Sequence, residues 1–364
     1  MKFPAMFSPI RIGTVTVPNR FVVPPMGNNF ANTDGSLSDR SLGYYQARAK
    51  GGFGLITIES TVVYQEAKGG PRKPCLFSDD TVPSFRRVAD ACHAYGAKVS
   101  IQLQHAGPEG SAALTGFPLK AASAMPASAG RDIPEAVSNE EIYRIIECYG
   151  DAAHRAQQAG IDMVEVHCAH GYLLSQFLDP TTNLRTDEYG GSAENRFRFP
   201  GECLTAIRQA VGPDYPVLVK VNTNCAGEAD GAYAQDILYF CRQFEALGAD
   251  AIELSGYNWL GLGKKKVPTF YLDRAKAIRR EVKLPLILVG GVRGPESAQA
   301  ILDAGIDFVS ASRPFICQPD FVQHLEKGED SPCIGCTKCL GNIWAKEGRR
   351  CVKHPIPPEF ATQA

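Results

Sequence analysis

Ala156-Gln157-Gln158-Ala159-Gly160-Ile161-Asp162-Met163-Val164-Glu165-Val166 joins the end of a helix to a strand. Upstream, Ser138 and Glu141 have the spacing of a capping box, in which each residue satisfies a free backbone donor of the other. Ile142, Ile145, Ile146, Tyr149 and Ala153 then recur on one helical face. Gly160 follows the last helical residue, where a left-handed cap is wanted. The spacing therefore predicts a helix over 138–159 and a strand over 161–166.

The same grammar extends in both directions. Gly51-Gly52, Gly96, Gly212, Gly248 and Gly305 each stand before a short apolar run. These runs are 53–58, 97–103, 216–221, 249–254 and 306–310, and 20–25 and 285–289 complete a set of eight strands with helical stretches between them. Strands this continuously apolar suit parallel pairing with both faces covered. Alternating strands and helices make an open doubly wound sheet or a closed barrel, and eight units favour the barrel. The fold class is therefore α/β, a (β/α)8 TIM barrel. Residues 7–18 read as a hairpin lid on its bottom, and 105–137 as a Gly/Ala/Pro/Ser-rich insertion over the opposite face. The expected division is a barrel over 1–330 and a Cys-rich tail over 331–364.

Composition narrows the class. Hydrophobic content is 44% and charged content 21%, as in a globular enzyme. A net charge of −1 leaves no basic footprint for nucleic acid. No apolar run approaches a membrane span and the first residues lack a signal-peptide core, so a cytoplasmic protein is expected. In that compartment the 12 cysteines are not a disulfide framework.

Functional groups on such a barrel sit at the carboxyl ends of the strands. Those ends read Pro25-Met26-Gly27, Glu59-Ser60, Gln102, His167 with His170 and Tyr172, Lys220, Gly290-Gly291, and Ser312-Arg313. The last two suggest phosphate, because glycine turns expose backbone N–H groups and arginine adds a forked contact. Two imidazoles and a phenol within His167–Tyr172 can grip a carbonyl and deliver a proton. A metal pair and two structural histidines are the alternatives, and no third ligand stands at zinc-site spacing.

These residues resemble the Old Yellow Enzyme family of NADH:flavin oxidoreductases over roughly residues 7–330. The most specific stretch is His167-Cys-Ala-His170-Gly-Tyr172, continuing through Asn183-Leu-Arg185-Thr-Asp187 to Asn195-Arg196. The resemblance implies an FMN-binding barrel that takes hydride from NAD(P)H and passes it through flavin N5 to the β-carbon of an α,β-unsaturated carbonyl compound. It places Pro25 and Met26 under the isoalloxazine, Ser60 at its carbonyl edge and Gln102 on the pyrimidine ring. Lys220 falls beside N1 and O2, and Gly290, Gly291, Ser312 and Arg313 fall at the phosphate. His167 and His170 correspond to the carbonyl-gripping pair and Tyr172 to the proton donor. Gly27 stands where a subgroup has a potential-tuning cysteine, so that thiol effect is absent. The resemblance also implies a homo-oligomer.

The tail reads C-x2-C-x2-C-x11-C through Cys333, Cys336, Cys339 and Cys351, a spacing that suits a [4Fe–4S] cluster or a zinc ion. It is similar to the iron–sulfur branch of the family, which includes trimethylamine dehydrogenase and 2,4-dienoyl-CoA reductase, and is nearer the former in spacing. Those relatives continue into a nucleotide-binding module. With the chain ending at Ala364, electrons are expected from NAD(P)H directly or from a donor protein. An amine-type flavin dehydrogenase or electron-transfer partner, and a non-redox phosphate-binding barrel enzyme, are the competing functions.

Overall fold

The computed structural model describes residues 3–126, 131–225, 230–341 and 348–353, without the side chains of Asp230, Trp259 and Leu260. Eight parallel strands close into a barrel in simple sequential order. They are β1 (Phe21–Val23), β2 (Leu55–Val62), β3 (Lys98–Gln104), β4 (Met163–Cys168), β5 (Val217–Asn222), β6 (Ala251–Ser255), β7 (Leu286–Val289) and β8 (Phe308–Ser310). Closure is made by β8 on β1, with Val309 opposite Phe21 and Ser310 opposite Val22. Helices α1 (Asp39–Lys50), α2 (Val82–His93), α3 (Asn139–Gln158), α4 (Ala193–Val211), α5 (Asp230–Ala246), α6 (Leu272–Glu281), α7 (Pro295–Asp303) and α8 (Phe321–Glu326) follow the strands in turn. The α3 capping box forms, with Ser138 and Glu141 bonding each other's backbone. Gly160 adopts φ +74° at the far end.

The barrel interior is layered. Val22, Leu55, Met163, Leu218, Ala251, Ile287 and Phe308 form an apolar plug at the bottom. Ile12 and Val17 of the hairpin (Ile10–Ile12 with Val15–Val17) cap the same cluster. Outward residues such as Ile56, Val164, Val219 and Ile252 join the main core instead. Two residues above the plug, the inward positions become polar: Thr57, Glu165, Lys220, Glu253 and Ser310, all buried. The strands are therefore not uniformly apolar as their sequence suggested. Successive strand residues face opposite sides, so a few buried polar side chains disappear into an apolar run.

Three strand starts share a device. Gly160-Ile161-Asp162, Gly248-Ala249-Asp250 and Gly305-Ile306-Asp307 each present an aspartate to the preceding strand. Asp162 Oδ2 accepts from Val99 N at 2.8 Å, Asp250 Oδ2 from Val217 N at 2.8 Å, and Asp307 Oδ2 from Leu286 N at 2.9 Å. Each carboxylate is also paired with a basic side chain: His93, Arg208 or Arg279. This ties helix, strand and neighbouring strand together at the barrel bottom. Asp250→Ala leaves the Val217 amide without its acceptor and removes the carboxylate partner of Arg208, which keeps its bonds to backbone carbonyls. It should cost about 2–3 kcal/mol of stability, read by urea unfolding, with no change at the opposite face.

The insertion is built on a short helix, Ala112–Thr115, and a parallel pair, Lys120–Ala121 with Glu135–Ala136. It packs on the barrel's upper face: Leu173 N donates to His105 O, and Ala122 N donates to Gln176 Oε1.

Candidate active site

The site residues are delivered by strand ends. β2 runs to Val62, past its expected end at Ile58, because residues 74–76 pair alongside Val62. Its register shifts between Ile58 and Thr61, so Glu59 and Ser60 sit in an irregularity. Such bulges re-aim side chains beside active sites. Glu59 is fully buried, pairs with Lys73 at 3.2 Å and accepts from Asn28 N. Lys73 also donates to Ser60 Oγ at 3.1 Å.

After β4 the chain turns through His170 at φ +64° and Gly171 at φ +80°. Asn222 Oδ1 accepts from His170 N, and Ser175 Oγ accepts from Gly171 N. That turn brings three rings together. The His167 and His170 ring centroids are 5.4 Å apart at 87°, and Tyr172 lies 4.9 Å from His167. His170 Nε2 bonds Ser255 Oγ at 2.8 Å, while His167 Nδ1 is buried with no partner among the described residues. Burial drives both imidazoles down, His170 to about 3, and Lys220 adds to the effect. Both rings are thus neutral near pH 7, able to donate one N–H each without carrying charge.

Two cavities share walls here. The larger, about 380 Å³, is lined by Pro25, Met26, Gly27, Lys220, Gly290, Gly291, Ser312 and Arg313, with His170 and Tyr172. The adjoining one, about 200 Å³, takes Ser60, Gln102, His167, His170 and Tyr172. All thirteen expected barrel site residues therefore line one or the other. Cys225 lies in the main core and lines neither cavity. The Trp259 side chain lies outside the described residues.

The cavity suits a phosphorylated, anionic planar group. Arg313 Nη1 is buried with no partner among the described residues, and an unpaired guanidinium donor is costly unless a ligand completes it. Gly290 and Gly291 take φ +124° and +74°, and a Cβ on Gly291 would lie 2.2 Å from Thr269 N. Lys220 and Gln102 stand at the floor, each held from below by a glutamate: Lys220 Nζ donates to Glu253 Oε1 and Gln102 Nε2 to Glu165 Oε1.

The NADH:flavin oxidoreductase / NADH oxidase family model matches residues 5–331. The chain belongs to that family. It is 36% identical to the NADH oxidase of Thermoanaerobacter brockii, over 97% of this chain and 56% of that protein. The fold superposes on a 2-naphthoyl-CoA reductase at TM-score 0.84 and 30% identity, covering 93% of this chain and 54% of that one. An old yellow enzyme homologue from Zymomonas mobilis superposes at TM-score 0.80 and 27% identity, with 99% of both chains covered. The chain thus spans about half the length of the first two and nearly all of the third.

The family's barrel carries here a tail that touches the site. Cys333, Cys336, Cys339 and Cys351 line one small cavity of about 20 Å³, together with Cys317 from the segment that begins at Arg313. Among the described residues no three such side chains are arranged to hold a metal, so the tail's geometry lends no support to either the zinc or the iron–sulfur expectation. Arg313 and Cys333 line both this cavity and the larger one, so they form a common wall. Gly348 and Arg349 dock on the loop after β1, with Arg349 N donating to Asn28 O at 2.9 Å and Arg349 Nε to Gly27 O. The buried Arg349 side chain thereby joins Tyr172 and His170 in lining both cavities.

Residue-by-residue reading missed Lys73, Asn222, Ser255 and Arg349. Asn222 and Ser255 end their strands and could have been found by carrying the strand-end inventory through β5 and β6. Lys73 and Arg349 arrive from distant loops, and nothing local marks them.

Proposed function

We propose that this chain is a flavin-dependent ene-reductase, using NAD(P)H to reduce the C=C bond of α,β-unsaturated carbonyl compounds. The observation that carries the reading is the convergence of His167, His170 and Tyr172 above a floor of Lys220 and Gln102. Bound FMN would supply the chemistry of accepting a hydride and passing it to carbon. Arg313, Ser312, Gly290 and Gly291 would hold its phosphate, and Pro25, Met26 and Gly27 would lie against the ring. Gln102 and Ser60 would face the polar edge. Lys220 would stabilise negative charge there.

The protein's own part is to bind the substrate oxygen and move one proton. His167 and His170, being neutral, offer N–H donors to a carbonyl that gains charge as hydride arrives. Tyr172 holds the proton destined for the α-carbon. The same geometry disfavours an amine substrate. Lys73, Lys220 and Arg349 stand around the two cavities and Glu109 is the acidic residue in their linings, so an ammonium group would meet more cations than anions. A non-redox phosphate enzyme would leave the His–His–Tyr group without a task.

The test is anaerobic and has two halves. FMN-loaded protein should bleach at its visible flavin band with NADH or NADPH, and the band should return with 2-cyclohexenone but not with trimethylamine alone. Bleaching by trimethylamine in place of NAD(P)H would sink the reading in favour of the amine-type dehydrogenase.

The tail cavity is proposed to hold a thiolate-bound iron–sulfur cluster on the C-x2-C-x2-C-x11-C spacing of Cys333, Cys336, Cys339 and Cys351, which line it. Its wall against the flavin cavity makes it an electron port for a donor protein. Protein prepared without oxygen should carry about four irons per chain if the port is built this way. An iron-free yellow preparation would remove it. No helix among the described residues is long and apolar enough to cross a membrane, which fits the cytoplasmic placement and the small-molecule substrate proposed here.

A further inference from the structure

The floor of the larger cavity holds more acid than its one cation can balance. Glu165 on β4 and Glu253 on β6 flank Lys220 on β5, and both carboxyls are fully buried. Lys220 is the direct strand partner of Glu253 and donates to its Oε1 at 2.5 Å. Gln102 donates to Glu165 Oε1 at 2.7 Å. The second oxygen of each, Glu165 Oε2 and Glu253 Oε2, finds no donor among the described residues. The two acids flank the same lysine, and the charge of Glu253 acts on Glu165. Two buried carboxylates set against each other in this way repel, whereas one proton shared by the pair relieves the repulsion.

Among the described residues, Lys220 is the cation bonded to the pair, while Arg313 and Arg349 line the cavity elsewhere. β3 contributes only the neutral amide of Gln102, and β5 only Lys220. His167 and His170 above are kept neutral by burial. Lys73 is taken by Glu59. The nearby hydroxyls of Thr57, Ser100 and Ser310 carry no charge. Burial and the mutual repulsion accordingly push Glu165 well above the ordinary carboxyl range.

We propose that Glu165 and Glu253 share one proton and together meter the charge that Lys220 shows to the cavity. With one proton on the pair, its remaining negative charge neutralises Lys220. When negative charge arrives above Lys220, the pair takes up a second proton from solvent, –COO⁻ + H⁺ giving –COOH. The Lys220 charge is then released upward to the new anion. This rests on the flavin reading: FMN reduced by hydride gains two electrons and one proton and becomes anionic. The pair then adds one further proton, so two protons enter per two electrons. Glu165 and Glu253 are positioning residues in this scheme, since they reach the cofactor only through Lys220.

Two measurements test it, one of which needs no cofactor. Infrared difference spectra of the apo-protein at neutral pH should contain the C=O band of a buried protonated carboxyl. Glu165→Gln and Glu253→Gln should each abolish that band, because the surviving glutamate ionises against Lys220. A wild-type protein without the band, or single variants that keep it, would overturn the proposal whatever the cofactor. The second is the two-electron midpoint potential of the FMN-loaded protein against pH. Wild type should fall by about 59 mV per pH unit, the two-proton slope, and the double variant Glu165→Gln/Glu253→Gln by about 30 mV, the one-proton slope. Each single variant should keep the steep slope, as one glutamate suffices to take the extra proton. A shallow wild-type slope, or a double variant as steep as wild type, would refute the metering role. Failure of the wild type to bind FMN would refute the flavin reading and leave the infrared result to stand alone.

Discussion

Tyr172→Phe should lower turnover of a simple enone by about two to four orders of magnitude, while reduction of the flavin by NAD(P)H proceeds at the wild-type rate. The substitution removes one oxygen and keeps the ring that packs 4.9 Å from His167, so the cavity retains its shape. What disappears is a proton source placed where both cavities meet. Hydride arrival leaves carbanion character at the α-carbon, and water must then supply the proton that the phenol supplied. The two histidines predict a companion pattern. His170 is held at about 3 by burial, so it stays neutral well below its ordinary titration range. Binding of a phenolate or carbonyl ligand should therefore show no step near pH 6.5 from these rings. Stopped-flow measurement of the two half-reactions separates the outcomes. Equal losses in both halves would mean that Tyr172 shapes the cavity rather than donates a proton, and no loss in either would remove it from the reaction.

The barrel was legible because its information is local and repeated. A glycine and an apolar run beyond it located six of the eight strands, two further apolar runs completed the set, and the strand ends then gave the candidate site. The Gly-x-Asp starts at 160–162, 248–250 and 305–307 were equally visible and add the reason the register holds at the bottom. What could not be read is what depends on depth. Glu165 and Glu253 sit among Val164, Val166, Ile252 and Leu254, and only the inward turn of every second residue shows that the two acids meet. Glu59 and Ser60 were named at their strand end, but the register shift that aims them has no local mark. Arg349 depends on the tail folding back across more than three hundred residues, fixed by Gly348, whose absent Cβ leaves room for Phe30. Cys317 read as a small buried hydrophobe. It lines the same cavity as the tail cysteines, where burial, helped by Cys351, raises its pKa.

Arg313→Ala should weaken FMN binding by about 100-fold, the worth of a forked charge-assisted contact to phosphate. In the ligand-free protein the guanidinium is wedged against Gly263, where any Cβ would lie 1.8 Å from Nη2, and its Nη1 has no partner among the described residues. A buried donor without an acceptor is destabilising. Removing it should therefore leave the apo-protein as stable as wild type or slightly more so, while the affinity for FMN falls. That opposition of signs distinguishes a ligand-binding arginine from a structural one, whose loss would lower stability first. Arg313→Lys should recover part of the affinity, because the charge returns but the fork does not. The affinities are read from quenching of flavin fluorescence on titration with apo-protein, and the stabilities from thermal unfolding of the same samples. If Arg313→Ala unfolds at markedly lower temperature and binds FMN as wild type does once folded, the arginine holds segment 259–264 in place and the phosphate must be gripped elsewhere.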